Sequence, residues 1–154
     1  MSMIDYDPAG ATPKLLNATY SAVATGTTAE ETLITWTLPA NTLNAGKMLR
    51  ITAFANTAAT TGVKTFRVYF GGTTICERAT ALNNGQFRGD MIVVATGSTT
   101  EWSSGLVNSS AMSPTIYPAT PAVSASGDIA INLAGTSVVA GEITSRLLMV
   151  ELVN

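Results

Sequence analysis

The sequence contains no histidine and a single cysteine, Cys76. The first absence removes the commonest general base and the commonest metal ligand, so neither a Ser-His-Asp triad nor a Cys-His pair can be assembled. The second excludes an internal disulfide and leaves too few nitrogen and sulfur donors for a structural zinc site. Charge is also scarce. Only 12% of residues are charged, about half the usual share of a soluble domain. Eight Lys and Arg are scattered against ten Asp and Glu, giving a net charge of −2. This leaves no basic footprint for nucleic acid. No run of about 20 apolar residues is present to span a membrane. The opening MSMIDYDPAGATPK lacks the basic patch followed by an apolar stretch that marks a signal peptide, so synthesis in the cytoplasm is expected.

The chain does hold a high proportion of Thr, Ala, Ser and Gly in 154 residues, with 46% hydrophobic residues. A single domain of this size buries roughly 68–70% of its unfolded surface and needs no metal or disulfide to fold. So little surface charge is unusual for a free monomer, which implies that copies of the chain or a larger assembly cover much of the surface.

The organising block is Glu31 to Phe70. In its middle run Leu49, Ile51, Ala53 and Ala55 fall on one face and Arg50, Thr52, Phe54 and Asn56 on the other. In its last run Phe66, Val68 and Phe70 alternate with Thr65, Arg67 and Tyr69. Strict period-2 alternation marks half-buried strands. Further strands are predicted over Leu15–Thr25, Thr32–Leu38 (ended by Pro39), Thr73–Glu77, Gln86–Ala95, Thr100–Val107, Asp128–Leu133 and Thr144–Val153, with a brief pairing at Val123–Ser126. Gly71-Gly72 is a two-residue hairpin signal, and Asn83-Asn84-Gly85 is another turn. Pro39–Leu43 reads as one tight helical turn and Ala134–Thr136 as a turn. Ser109–Ala122, with Pro114, Pro118 and Pro121 around Tyr117, reads as a long irregular connection. The result is an all-β antiparallel sandwich, jelly-roll-like, over residues 15–154, with an immunoglobulin-like sandwich as the alternative. Residues 1–14, with two prolines and no periodicity, form an extended N-terminal arm. Its Met3, Ile4, Tyr6, Pro8 and Pro13 give it apolar surface with which to dock.

The remaining chemistry is thin. A carboxylate pair for glycoside hydrolysis would have to come from Asp90, Glu77, Glu101, Asp128 and Glu142, each near a strand end or turn where solvation or capping is the ordinary role. Glu30-Glu31 reads as a solvated edge and Cys76 as a small buried hydrophobe. Arg88-Gly89-Asp90 spells the integrin-binding tripeptide, but at the start of an alternating strand rather than on a loop tip, so chance explains it best. Asn17-Ala18-Thr19 and Asn108-Ser109-Ser110 fit the glycosylation pattern, which is without meaning outside a secretory route. No catalytic residue, metal ligand or cofactor site emerges. Trp102 and Tyr117 are the aromatic pair that would stack on a sugar if they were exposed; both fit half-buried packing as well.

EETLITWTLPANTLNAGKMLRITAFANTAAT, followed by KTFRVYFGGTTI, resembles a β-sandwich module widespread in tailed-bacteriophage virion proteins. GDIAINLAGT and EITSRLLMVELVN are similar to the module's last strands, so the resemblance covers most of Glu30–Asn154. It implies a non-enzymatic structural role: a jelly-roll-like unit, commonly a homotrimer, on the virion. A tail fibre would be expected to carry a long shaft or larger anchor, so one module with a short arm points to a capsid decoration (cement) protein bound to the major capsid protein. The alternative is a head-fibre or tail-tip unit that binds a host receptor or glycan. It would use loops such as Ala79–Gly85 and Ser109–Pro121, with Asn83, Asn84, Trp102 and Tyr117 as recognition residues.

Overall fold

The computed structural model describes residues 13–81, 83–97, 101–109 and 112–153; in the stretch 101–117 only Ser103 and Gly105 have described side-chain environments. The described residues form ten strands: β1 (Lys14–Tyr20), β2 (Glu31–Leu38), β3 (Met48–Thr57), β4 (Lys64–Phe70), β5 (Thr73–Thr80), β6 (Gln86–Ala95), β7 (Glu101–Ser109), β8 (Met112–Ala119), β9 (Ile129–Ser137) and β10 (Ile143–Val153). They make a six-stranded sheet in the order β1-β10-β3-β6-β7-β8 and a four-stranded sheet in the order β2-β9-β4-β5. All pairings are antiparallel. Leaving aside β7 and β8, two four-stranded sheets remain, β1-β10-β3-β6 and β2-β9-β4-β5, with the chain crossing between them at β1→β2→β3→β4. This is the jelly-roll arrangement, and β7–β8 is a hairpin added beside β6.

The predicted faces hold. Leu49, Ile51, Ala53 and Ala55 of β3 and Phe66, Val68 and Phe70 of β4 are all fully buried, facing one another across the sandwich. Phe66 and Phe87 stack with ring centroids 5.2 Å apart, joining the two sheets through an aromatic contact. Gly71 and Gly72 take positive φ (55° and 84°) and close the β4–β5 hairpin, as two-residue turns require. Asn84 adopts φ 49° in the turn before β6. Cys76 is buried.

Two inward glycines set the local spacing between sheets. A Cβ on Gly105 would lie 2.6 Å from the Ile75 carbonyl oxygen, and one on Gly89 would lie 2.9 Å from the Cys76 sulfur. Packed sheets ordinarily stand about 10 Å apart with side chains filling the gap. Here the backbone of β5 approaches β7 because β7 has no side chain at that point.

Several expectations are corrected. Ser109–Ala122 is not an irregular connection: Met112–Ala119 form β8, with Pro118 opposite Ser104. The prolines are tolerated because β8 is an edge strand, where a missing N–H need not interrupt a ladder. Ala134–Thr136 is not a turn but the continuation of β9 between β2 and β4. Gly135 fits closely there: a Cβ would meet the side chains of Ile143 and Leu33 at 3.2 Å, a tight approach. Pro39–Leu43 makes no helix: Asn41 sits at φ 61°, outside the right-handed region. Val123–Ser126 forms no strand. The first strand ends at Tyr20, beyond which only an isolated bridge, Ala24 to Thr144, continues it. Lys14, assigned to the arm, opens β1.

Candidate interaction surfaces

The outer face of the six-stranded sheet carries three cross-strand rows from β10, β3 and β6: Glu151–Arg50–Ile92, Met149–Thr52–Asp90 and Leu147–Phe54–Arg88. These alternate positions point away from the core because their neighbours fill it. Around Arg50, Thr52, Arg88, Asp90, Ile92, Met149 and Glu151 the face forms an open concavity of about 510 Å³. Its charges are internally matched: Arg88 Nε lies 2.9 Å from Asp90 Oδ2, and Arg50 Nη1 lies 3.7 Å from Glu151 Oε2. Thr52 donates to Asp90 Oδ1 at 3.2 Å. The Arg88-Gly89-Asp90 tripeptide thus lies flat in a central strand, its two charges paired with each other and Gly89 buried against the other sheet.

The outer face of the four-stranded sheet holds a second polar network. Arg67 bridges Glu77, at 2.6 Å from its Nε, and Glu30, while the Tyr69 hydroxyl donates to Glu30 at 2.6 Å. Burial raises the Glu30 pKa, but the Tyr69 and Arg67 contacts outweigh it and hold the carboxyl below its ordinary value. The Tyr69 phenol is pushed up, first by burial and then by donation to Glu30. Glu31 is lowered by the Gly26 N–H, partly offset by burial, and by Thr27. Glu30 and Glu31 thus lie on a solvent-facing edge, as expected, with Glu30 also bonded to β4 and Glu31 to Gly26 and Thr27 before β2.

At the end of the sandwich near the β9–β10 turn, Lys64 is fully buried. Its ammonium donates to the carbonyls of Thr60 (2.7 Å) and Gly62 (2.9 Å) and lies 3.9 Å from Glu142. The Glu142 carboxylate accepts from Thr60 Oγ1 and from the Val139 N–H at 3.2 Å, and the Thr60 contact leads in lowering its pKa. Above this pair Val63, Val138 and Val139 stand more than half exposed. Sequence reasoning gave Glu142 a solvated or capping role and Lys64 none; Glu142 does cap the Val139 N–H, but buried rather than solvated. Their burial follows from loop packing, which alternation does not report. On the opposing sheets' inner surfaces, burial pushes the Cys76 thiol up to about 12, with Asp90 and Glu77 adding to the shift.

The anticipated site residues do not converge. Met3, Ile4, Tyr6 and Pro8 lie outside the described residues, and Pro13 is exposed immediately before β1. Asn83 and Asn84 are exposed in the β5–β6 turn, held by the Asn84 N–H to the Ala58 carbonyl at 3.2 Å. Trp102 sits at the opposite end of the sandwich, opposite Val94, and Tyr117 lies in β8 opposite Gly105. Their side chains are outside the described set, and their backbones are not register partners. Of the carboxylates, Asp90 and Glu77 are ion-paired, and Asp128 accepts from the Ala40 N–H at 2.9 Å. The Glu101 side chain lies outside the described set. Among the described residues no three His, Cys, Asp or Glu gather as a metal site would need.

No protein-family model and no curated protein matches the chain. Solved structures do align with it. Dimeric latent PorU from Porphyromonas gingivalis covers 92% of this chain at 12% identity and a TM-score of 0.42. A structure of the Gt strain of infectious bursal disease virus covers 100% at 16% identity and 0.41. The CBM2 module of an evolved Dit from Lactobacillus casei BL23 phage J-1 covers 78% at 15% identity and 0.32. The chain spans only 13% of the PorU chain and 38% of the bursal disease virus chain. Likenesses at these scores carry no argument about activity.

Proposed function

We propose that the chain is a non-enzymatic structural protein of a tailed-bacteriophage virion, a capsid decoration protein that binds the assembled shell of major capsid protein and stabilises it. One observation carries this reading: Leu15, Tyr20, Val23, Val63, Val138 and Val139 stand 44–77% exposed on a surface with little charge. Large apolar groups in the open are placed for burial against other proteins. The resemblance in Glu30–Asn154 adds the setting, since its quoted strings form β2, β3, the β4–β5 hairpin, β9 and β10, the scaffold of the jelly roll. That fold hosts capsid and lectin domains alike, so it does not choose between them. Catalysis has no part in the mechanism: a partner that binds only the assembled shell shifts the equilibrium toward it. Assembly as a homotrimer and location on the capsid surface belong to the same proposal.

A receptor- or glycan-binding unit is the second reading, favoured by the concavity over Arg50, Thr52, Asp90 and Ile92, where donors and acceptors flank an apolar floor. Particles lacking the protein separate the two. Under the decoration reading they lose heat resistance yet adsorb normally, and deleting residues 1–12 leaves a folded chain that no longer attaches. Normal particle stability with lost adsorption would overturn it in favour of the second.

A further inference from the structure

Three of the large exposed apolar side chains, Leu15 (55%), Tyr20 (77%) and Val23 (44%), belong to one short segment along β1. Among the described residues β1 is the terminal strand of the six-stranded sheet, paired with β10 on one side only. The opposite terminal strand, β8, carries prolines, which blunt an edge. β1 carries none, and its one charge is Lys14 at the start. The phase of its free backbone groups can be read. The Ser21 N–H donates to the Arg146 carbonyl at 3.3 Å, and Val23 and Ser145 bond on the same side. Thr19, Ser21 and Val23 therefore direct their main-chain groups toward β10, and Ala18 and Tyr20 direct theirs away from the sheet.

We infer that β1 pairs antiparallel with β1 of a second copy about a twofold axis at Thr19, continuing the six-stranded sheet of one chain into that of the other. The phase admits an axis at Ala18, Thr19 or Tyr20, and Thr19 is taken because it pairs Ala18 and Tyr20, the two outward-facing residues of β1, with one another. With the axis at Thr19, the outward backbone groups of Ala18 face those of the partner's Tyr20, and the reverse, forming the ladder pairs nearest the axis. The same register sets each Tyr20 ring beside a small side chain, the partner's Ala18. Leu15 and Val23 lie outside this ladder, the first beyond the bulge and the second past the end of β1. The bulge between Leu15 and Asn17 limits the ladder to the segment around the axis. A shallow concavity of about 270 Å³ lined by Tyr20, Ser21, Ala22 and Arg146 sits beside it, with room for the Tyr20 ring to settle. A strand edge accepts only another extended strand, and β1 presents one of matching phase at the chain's own concentration. The contact is independent of the virion reading, because it belongs to the purified chain.

Light scattering on the purified full chain at micromolar concentration tests it. The expected mass is twice the 15.9 kDa of one chain, or six times it where a threefold contact also forms. A mass of one or three chains overturns the proposal. Ala18→Pro removes an outward N–H without touching the β10 ladder and should weaken the twofold contact about tenfold or more. Ala18→Lys and Tyr20→Glu, both at exposed positions, should each weaken it, and the double variant should restore it by setting opposite charges across the axis. Folding of each variant is checked by its melting temperature. Variants that fold and keep the wild-type mass, or a double variant that stays dissociated, overturn the register.

Discussion

Replacing Gly105 by Ala tests whether β7 owes its close approach to β5 to a missing side chain. The added Cβ would stand 2.6 Å from the Ile75 carbonyl oxygen and 3.1 Å from Met91 Cγ. Carbon–oxygen contacts across packed backbones are normally about 3.3–3.6 Å, so a gap of most of an ångström must open. The obstructing atom is main chain, in a strand that bulges at this point and is bonded to β4, so it cannot rotate aside as a side chain would. Overpacking of this kind costs about 1–3 kcal/mol. For a domain of this size each kcal/mol lowers Tm by roughly 2–4 °C, so the expected fall is about 2–12 °C. Gly97→Ala supplies the control: among the described residues a Cβ there meets nothing within 4 Å, and its φ is not in the left-handed region. It should be neutral or stabilise by roughly 0.4–1 kcal/mol, through the unfolded chain. Urea unfolding should show a lower midpoint for Gly105→Ala with an unchanged slope. A Gly105→Ala protein with the wild-type midpoint, or a Gly97→Ala protein that loses as much, would refute the reasoning.

Acid should destabilise the fold through Glu30, Glu31 and Glu142. Their folded pKa values lie below the ordinary 4.5, so their contribution is complete above that value and fades as pH falls through the folded values. Tm measured from pH 7 to 3 should drop below about pH 4.5, less steeply in a Glu30→Gln variant. Tyr69 gives the opposite limb: its pKa is raised from 10.0, so its contribution is lost as pH climbs above that. Lys64→Met should lower Tm far more than Arg50→Met, because the first strips a fully buried ammonium from two carbonyls and a carboxylate while the second loosens a half-exposed pair. Equal effects in a melting assay would contradict the burial argument. Cys76 should resist a thiol reagent at pH 8 in the native chain and react once the chain is unfolded in urea, since burial holds its thiol protonated.

Alternation revealed much of this architecture directly. The inward faces of β3 and β4 follow residue by residue from period 2, and the Gly71-Gly72 hairpin follows from the positive φ that such turns demand. Composition misled where tertiary pairing overrides it. Prolines made β8 look like a loop, though an edge strand can hold them, and Ala134-Gly135-Thr136 looked like a turn, though it is a central strand whose glycine fits closely under Ile143. Surface sites were the least legible. The rows that bring Arg50, Asp90 and Glu151 into one concavity depend on register between strands distant in sequence, and alternation supplies faces but not partners. Lys64 and Glu142 were unreadable for a related reason: their burial is made by two loops.

The position of β10 has a consequence for how the molecule comes into being. The last strand in the sequence lies between the first and the third. Until residues 143–153 are available, β1 has no ladder at all and β3 has an open side, so no nascent chain that stops short of Ile143 can close the larger sheet. Closure of the larger sheet must then wait for β10, in the slow range of milliseconds to seconds typical of β topologies with distant pairings. During that interval the apolar inner face of β3 is open to other chains, and rapid production of the protein should favour aggregation over assembly.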